Sequence, residues 1–197
     1  MPIIWDYPPP RSGLKGAWDK FIGPGPTRAE LLMQLIIPLA AAVAAVLYAW
    51  RGAEGWTPVQ QVVSVLLAID ITGGIVTNAT STAKRWYHRQ GQGFKDQFGF
   101  VALHLLHVVV VSWLFLAFDI PWLIAVGGFL LFSTAVILLV PQYLQRPTAM
   151  VCYAGAILLC IYVLRQPEGL EWFLPLLYLK LLVSHLPKEE PYRPGDV

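Results

Sequence analysis

The sequence predicts an all-α fold: a polytopic integral membrane helical bundle of about six transmembrane helices, preceded by an N-terminal interfacial helix. Three observations support this prediction. The 197 residues are 56% hydrophobic and only 13% charged, which is roughly half the charged share of soluble domains. Apolar runs long enough to cross a membrane recur along the chain. The Lys and Arg residues outside these runs are divided unequally between alternate loops.

A short amphipathic helix is predicted ahead of the first span. Leu14, Trp18 and Phe21 fall at helical spacing, two lysines lie beside them, and a Gly-Pro repeat at 23–26 follows. This pattern is typical of a helix that lies on the membrane surface. A disordered basic tail is the alternative.

Six apolar runs of about 20 residues predict the transmembrane helices. The last run is the weakest, because Pro175 lies inside it and Pro187 follows it, and proline removes a backbone donor. We therefore expect the last helix to be broken or tilted. The predicted spans are 30–50, 59–80, 98–117, 120–141, 148–164 and 170–186.

Loop charge predicts the orientation of the bundle. Eleven Lys and Arg residues fall in the N-terminal segment, the loops after the second and fourth spans, and the tail, against two in the other loops. Cytoplasmic loops carry the excess of positive charge. We therefore expect both termini in the cytoplasm, with a cytoplasmic N-terminal segment at 1–29, a transmembrane bundle at 30–186 and a cytoplasmic tail at 187–197. The net charge of +2 forms no clustered basic face, so no nucleic-acid partner is expected.

Asp70 lies near the middle of the second predicted span, where an ionisable side chain is costly and usually marks function. Gly73, Gly74, Thr77 and Asn78 share its helical face. Two interpretations of this face remain open. It is either a packing seam, since small residues let helices approach closely, or a groove in which Asp70 and Asn78 are catalytic and Gly74 and Thr77 contact a substrate.

The chain has four histidines. His104 and His107 are three residues apart on the third predicted span and would point to nearly the same side, which suits joint metal ligation or a proton relay. His88, in the polar loop before this span, and His185, near the end of the last span, should lie at the same membrane level. In the alternative interpretation, His88 is solvated and His185 and Lys180 extend to the headgroup boundary.

Trp86, Tyr87 and Lys180 complete the predicted substrate contacts. The loop that contains the two aromatic residues and the last span that contains Lys180 both reach the predicted cytoplasmic side of the bundle. The substrate expected there is a membrane lipid or another apolar small molecule.

Two enzymatic chemistries fit these residues. In the first, His104, His107 and either His88 or His185 hold Zn²⁺, and Asp70 is a fourth ligand, an orienting group or a general base. A zinc site with an open water position would hydrolyse a lipid-like substrate at the cytoplasmic leaflet. In the second, no metal takes part. Asp70, removed from water, would give a proton to an apolar substrate and His104 or His107 would take it back, as in an isomerase, lyase or cyclase.

Two non-enzymatic classes remain as alternatives. An intramembrane aspartate with histidines also suits a proton-coupled transporter, and a small-residue seam suits a membrane scaffold subunit. A homodimer would be compatible with either. Di-iron membrane enzymes are not expected, because they carry more histidines than the four present here, and the chain contains no Gly-x-Ser-x-Gly nucleophile elbow.

Overall fold

A computed structural model describes residues 2–51 and 55–193. Met1 and residues 194–197 of the predicted tail lie outside the described residues. The described part confirms the predicted all-helical fold. Its elements are, in chain order, α1 (Gly13–Ile22), α2 (Arg28–Arg51), α3 (Pro58–Ala79), α4 (Ser81–Tyr87), α5 (Phe94–Leu103), α6 (Leu105–Phe115), α7 (Ile120–Leu139), α8 (Gln142–Tyr162), α9 (Phe173–Tyr178) and a π-helix (Leu179–His185).

Within the described residues, five helical stretches are long and apolar enough to cross a membrane. They are α2, α3, α5 together with α6, α7 and α8. The sixth predicted span is the shorter stretch Phe173–His185, which is about 20 Å long at 1.5 Å per residue. The hydrocarbon core of a bilayer is about 30 Å thick, so this stretch is too short to cross it alone.

The short last stretch nevertheless lies at the centre of the bundle. Phe173, Leu174, Leu177 and Leu181 are fully buried, because the longer helices surround them. By contrast, the outer faces of the long helices are apolar and exposed, as shown by the row Leu32, Leu35, Ile36, Leu39 and Val43 on α2. Such a surface is suited to lipid contact.

The segment between α8 and α9 is irregular but covered by protein. Leu170 is fully buried, and the indole Nε1 of Trp122 donates a hydrogen bond to the Arg165 carbonyl at 2.9 Å. Gly169 has φ +83°, and a Cβ there would lie 2.6 Å from the Trp56 ring, so only glycine fits. Irregular backbone at membrane depth is tolerated where protein covers it.

Both ends of the described chain lie on the same side of the bundle. Ile3 forms an isolated antiparallel bridge with Tyr192, and the Ile4 amide donates to the Pro191 carbonyl at 3.0 Å. We call this the terminal side. It comprises the chain before α2, α4 with the loop that follows it, and the residues after His185.

The polar segment after the second span is not the simple loop that the sequence suggests. It contains α4, whose first turn is capped because Thr80 Oγ1 accepts a hydrogen bond from the Ala83 amide at 3.2 Å. Lys84, Arg85 and His88 are buried. The interpretation of His88 as a solvated residue is therefore wrong, because the N-terminal segment and the tail cover this helix.

Two breaks in helical regularity occur at residues singled out in the sequence. The third span is interrupted at His104. The backbone amide of His104 donates to the Val101 carbonyl, and the backbone amide of His107 donates to the His104 carbonyl, both at 3.0 Å. These three-residue spacings tighten the helix locally. The last stretch changes from an α-helix to a π-helix at Leu179. This change agrees with the expectation that the last helix is broken. Both types of break are frequent at functional sites.

The predicted N-terminal helix is present as α1, held by Arg11, whose side chain donates to both carboxylate oxygens of Asp19 at 2.7 and 2.9 Å. The Arg11 guanidinium lowers the pKa of Asp19 to about 2. Leu14, Trp18 and Phe21 are exposed. They form the apolar face that the sequence predicts, and its location on a membrane surface stays a prediction.

Candidate functional site

Asp70 is the meeting point of three separate parts of the chain. Its Oδ2 accepts a hydrogen bond from Lys180 Nζ at 2.6 Å and another from His107 Nε2 at 3.0 Å. Asp70 lies on α3, His107 on α6 and Lys180 on the π-helix. Three of the residues predicted from the sequence are therefore in direct contact.

Gly74 makes the Lys180 contact possible. A Cβ at this position would collide with Cε of Lys180 and lie 2.8 Å from its Cδ. The Lys180 side chain therefore crosses α3 where glycine leaves room for it. This finding gives Gly74 a different role from the predicted substrate contact, because the lysine occupies the space beside it.

Gly73 supports the packing interpretation of the same face. A Cβ there would lie 2.9 Å from Cγ of Pro38 on α2, so α2 and α3 approach closely at this level. Thr77 and Asn78, one turn further, are buried. The polar face is thus partly a helix seam and partly the site around Asp70.

His104 and His107 lie side by side, as their spacing predicts. Their ring centroids are 5.1 Å apart and the rings are within 11° of parallel. His104 Nδ1 lies 2.8 Å from the Phe100 carbonyl, which can only accept, so Nδ1 carries the proton. His107 Nε2 donates to Asp70 in the same way, and its buried Nδ1 has no partner among the described residues.

The site opens toward the outside of the bundle. The Asp70 side chain is 38% exposed and that of His107 is 24% exposed, whereas that of Lys180 is only 4% exposed. No hydrogen bond involves Asp70 Oδ1 within the described ranges. The expectation that Lys180 extends to the headgroup boundary is wrong, because its ammonium group turns inward to the carboxylate.

His88 and His185 form a second pair on the terminal side. His88 Nε2 donates to the His185 carbonyl at 2.9 Å, and Lys84 Nζ donates to the Pro187 carbonyl at 2.8 Å. These donors satisfy carbonyl groups at the end of the π-helix. Burial lowers the pKa of Lys84 to about 8, and burial together with the nearby Lys84 charge lowers the pKa of His88 to about 4.

The two histidine pairs are separated by a phenyl ring. The Phe100 centroid lies 3.9 Å from that of His185 and 4.8 Å from that of His104. Residues 2–51 and 55–193 contain no group of three or more His, Cys, Asp or Glu side chains arranged to hold a metal ion. The predicted zinc ligands are therefore not gathered around one point.

Trp86 and Tyr87 line a cavity of about 370 Å³ on the terminal side, which Arg89 and His185 also line. A second cavity of about 280 Å³ lies toward the opposite side, between α2, α3 and α9, and is lined mainly by alanine and aromatic side chains, with Ser64, Thr72 and Glu171 among the polar ones. Ala68 and Thr72 face this second cavity. Asp70 lies between them in sequence and points to another side of the helix.

Comparison of this chain with protein-family models, with curated proteins and with solved structures finds no match. The site is therefore interpreted from its own residues and geometry.

Sequence reasoning missed one buried polar residue near the site. Gln34 on α2 is buried, and neither polar atom of its side chain has a partner in the described part of the chain. Nδ2 of Asn78, a residue that the sequence did predict for the site, is also buried without a partner among the described residues. The contacts of Pro38 with Gly73 and of Glu30 with Thr82 place Gln34 at the level of Asn78. A lone glutamine in an apolar run gave no periodic signal.

Proposed function

We propose that this protein is an integral membrane enzyme that transfers a proton to or from a carbon atom of a membrane-soluble amphiphile, with Asp70 as the base. The observation that supports the proposal is the open side of the site. Asp70 Oδ2 holds Lys180 and His107, while the rest of the carboxylate faces outward on a membrane-spanning helix.

A purely structural ion pair would not need this opening. An ionised oxygen exposed to hydrocarbon is costly, and a buried polar group is normally paired. If neighbouring side chains covered Asp70, its carboxylate would no longer face the hydrocarbon and this free-energy cost would be avoided. A site that stays open instead suits a substrate whose functional group reaches Asp70 Oδ1 from the lipid side.

The proposed chemistry uses the ion pair directly. Asp70 Oδ1 removes a proton from a substrate carbon and becomes neutral, and the negative charge moves to the substrate. The Lys180 ammonium, which no longer faces a carboxylate, balances that charge. Return of the proton from Asp70 to another carbon of the same substrate completes an isomerisation, so atoms and charges balance without a further reactant.

The donor arrangement favours this metal-free chemistry over the zinc alternative. His104 Nδ1 and His107 Nε2 are committed to Phe100 and Asp70, and His88 and His185 lie beyond the Phe100 ring. Zinc held by His104 and His107 stays a prediction, and metal analysis of the purified protein tests it. Stoichiometric zinc that is lost in a His104→Ala variant would support hydrolysis instead.

The orientation follows from loop charge and completes the proposal. Both ends of the described chain lie on the terminal side, where the excess of Lys and Arg is found. We place this side in the cytoplasm. The amphiphile would then enter the site from the cytoplasmic half of the bilayer.

A proton-coupled transporter is a second candidate, supported by one specific observation. Gln34 and Asn78, whose side chains carry polar atoms without a partner in the described part of the chain, lie between Asp70 and the terminal side. Polar groups at that depth suit a water or proton route. Such a protein would move a solute without changing the lipids of its membrane.

Lipid analysis of expressing cells tests the enzymatic proposal. Cells that express the wild type are compared, by chromatography that separates lipid isomers followed by mass spectrometry, with cells that express Asp70→Asn or His107→Gln at equal levels. We expect at least one lipid to differ between the cells with the wild type and the cells with Asp70→Asn or His107→Gln. Asp119→Asn is the matched control, because asparagine can replace the helix cap that Asp119 provides to the Trp122 amide. Identical lipid profiles in all four strains would contradict the proposal.

A further inference from the structure

The cavity on the terminal side contains buried polar atoms that have no partner in the described residues. Gln97 and His185 both line it, and these residues are only 5% and 2% exposed. Gln97 donates through Nε2 to the Tyr87 carbonyl at 2.6 Å, but its Oε1 is unpartnered, as is His185 Nε2. Buried polar groups are normally hydrogen-bonded, so the wall of this cavity is polar and not fully satisfied by the described residues.

Charges of both signs line the same cavity. The Arg89 guanidinium lies over the Trp86 ring, 4.0 Å from its centroid, and Nη1 donates to the Trp86 carbonyl at 2.5 Å. Asp96 accepts a hydrogen bond from the Gly93 amide at 2.9 Å. No salt bridge joins Arg89 to Asp96 within the part of the chain that the structure describes, so both charges remain available to a ligand.

The cavity and the Asp70 site share one face of the third span. Asp96, Phe100 and Leu103 line the cavity, and His107 follows them at helical spacing. Asp96 and His107 are separated by roughly 16 Å along the helix at 1.5 Å per residue. An amphiphile whose headgroup lies in the cavity could therefore extend its chain along this face to Asp70.

We propose that this cavity binds the zwitterionic headgroup of a membrane lipid that carries a phosphate and a primary ammonium group. Arg89 donates to the phosphate, as guanidinium groups do, while Asp96 accepts from the ammonium. This inference rests on the proposed function and names the substrate class of that site.

Retention of defined lipids by the purified full chain tests the proposal. The protein in neutral detergent is incubated with phosphatidylethanolamine, phosphatidylglycerol or phosphatidylcholine of equal chain length, and bound lipid is counted by native mass spectrometry. The first lipid has both groups, the second lacks the ammonium, and the third has no ammonium hydrogen to donate. We expect phosphatidylethanolamine to be retained at least several-fold better than the other two.

Variants identify the residues that recognise the headgroup. Arg89→Gln and Asp96→Asn should each reduce phosphatidylethanolamine retention several-fold, and asparagine at position 96 can still accept from the Gly93 amide. Lys95→Gln is the matched control, since Lys95 is exposed and does not line the cavity. Unchanged melting temperatures would show that the variants fold.

The outcomes separate this inference from the proposed function. Retention of phosphatidylethanolamine by Asp70→Asn, together with its loss in Arg89→Gln, supports the headgroup site whether or not Asp70 is catalytic. Equal retention of the three lipids, preference for phosphatidylglycerol, or wild-type retention by both Arg89→Gln and Asp96→Asn would overturn the inference. In those cases Asp70-dependent changes in cellular lipids would still test the enzymatic proposal.

Discussion

The side chain of Lys180 crosses α3 at Gly74, where a Cβ would collide with its Cε. This crossing is what brings Nζ within 2.6 Å of Asp70 Oδ2. The π-helix places Lys180 at this level, and the glycine leaves the space that the lysine needs. The geometry of the site therefore depends on a residue that has no chemical role of its own.

Gly74→Ala is expected to lower stability and to displace Lys180 from Asp70. The added methyl group overlaps the lysine side chain, and overpacking in a well-packed interior costs about 1–3 kcal/mol. Thermal unfolding in detergent measures the loss. Gly128→Ala on α7 is the control, because a Cβ there meets nothing within 4 Å. In a Lys180→Ala background the same Gly74→Ala change should be nearly neutral, and an undiminished effect there would disprove the steric explanation.

Asp70→Asn is expected to destabilise the protein more than Lys180→Met does. Lys180 is buried, so loss of the carboxylate leaves an ammonium group without its counter-charge, whereas Asp70 keeps His107 and an open side when Lys180 is replaced. Removing one partner of a buried pair is strongly destabilising. Because Asp70 is partly exposed, we expect Asp70→Asn to lower the free energy of unfolding by only about 2 kcal/mol. Chemical unfolding of the two single variants measures the difference.

The double variant Asp70→Asn/Lys180→Met provides the control for this asymmetry. It removes both charges, so we expect it to recover most of the stability that Asp70→Asn loses. It also supplies a folded protein without the proposed base. Equal losses in the two single variants, with no recovery in the double variant, would show that the pair contributes little.

How much of this site could be predicted from sequence depends on the residue. Asp70, His104 and His107 were found because ionisable groups are rare in apolar spans, and helical spacing correctly placed the two histidines together. The contact of Lys180 with Asp70 could not be predicted, because it joins residues 110 positions apart and depends on a π-helix that no local pattern indicates. Burial of His88 was missed for a similar reason, since distant segments cover it.

His88→Gln is expected to reduce the loss of stability that the wild type shows as the pH falls below about 6.5. The pKa of His88 is about 4 in the folded protein and about 6.5 in the unfolded chain, so only the unfolded state binds the proton between these values. Stability should therefore fall as the pH decreases from about 6.5 to about 4, by about 3 kcal/mol from this residue.

Glutamine at position 88 can donate a similar hydrogen bond to His185 but does not titrate. Melting temperatures of the wild type and the variant, measured between pH 4 and pH 8, should diverge below pH 6.5. Parallel curves would show that His88 does not titrate as described.

Cysteine labelling tests the proposed orientation. In a background without Cys152 and Cys160, Lys95→Cys lies on the terminal side and Phe118→Cys on the opposite side. A membrane-impermeant maleimide added to intact cells should label the Phe118→Cys protein and not the Lys95→Cys protein. The reverse pattern would place the terminal side, and the entrance to the site, outside the cytoplasm.

The most direct test of Asp70 as a base is deuterium transfer from solvent to lipid. Membranes that contain the wild type are incubated in D₂O, and the extracted lipids are analysed by mass spectrometry for deuterium bound to carbon. We predict that one lipid class gains deuterium with the wild type and does not with Asp70→Asn/Lys180→Met. Equal carbon-bound deuterium with the two proteins, together with equal amounts of every lipid isomer, would contradict proton transfer by Asp70.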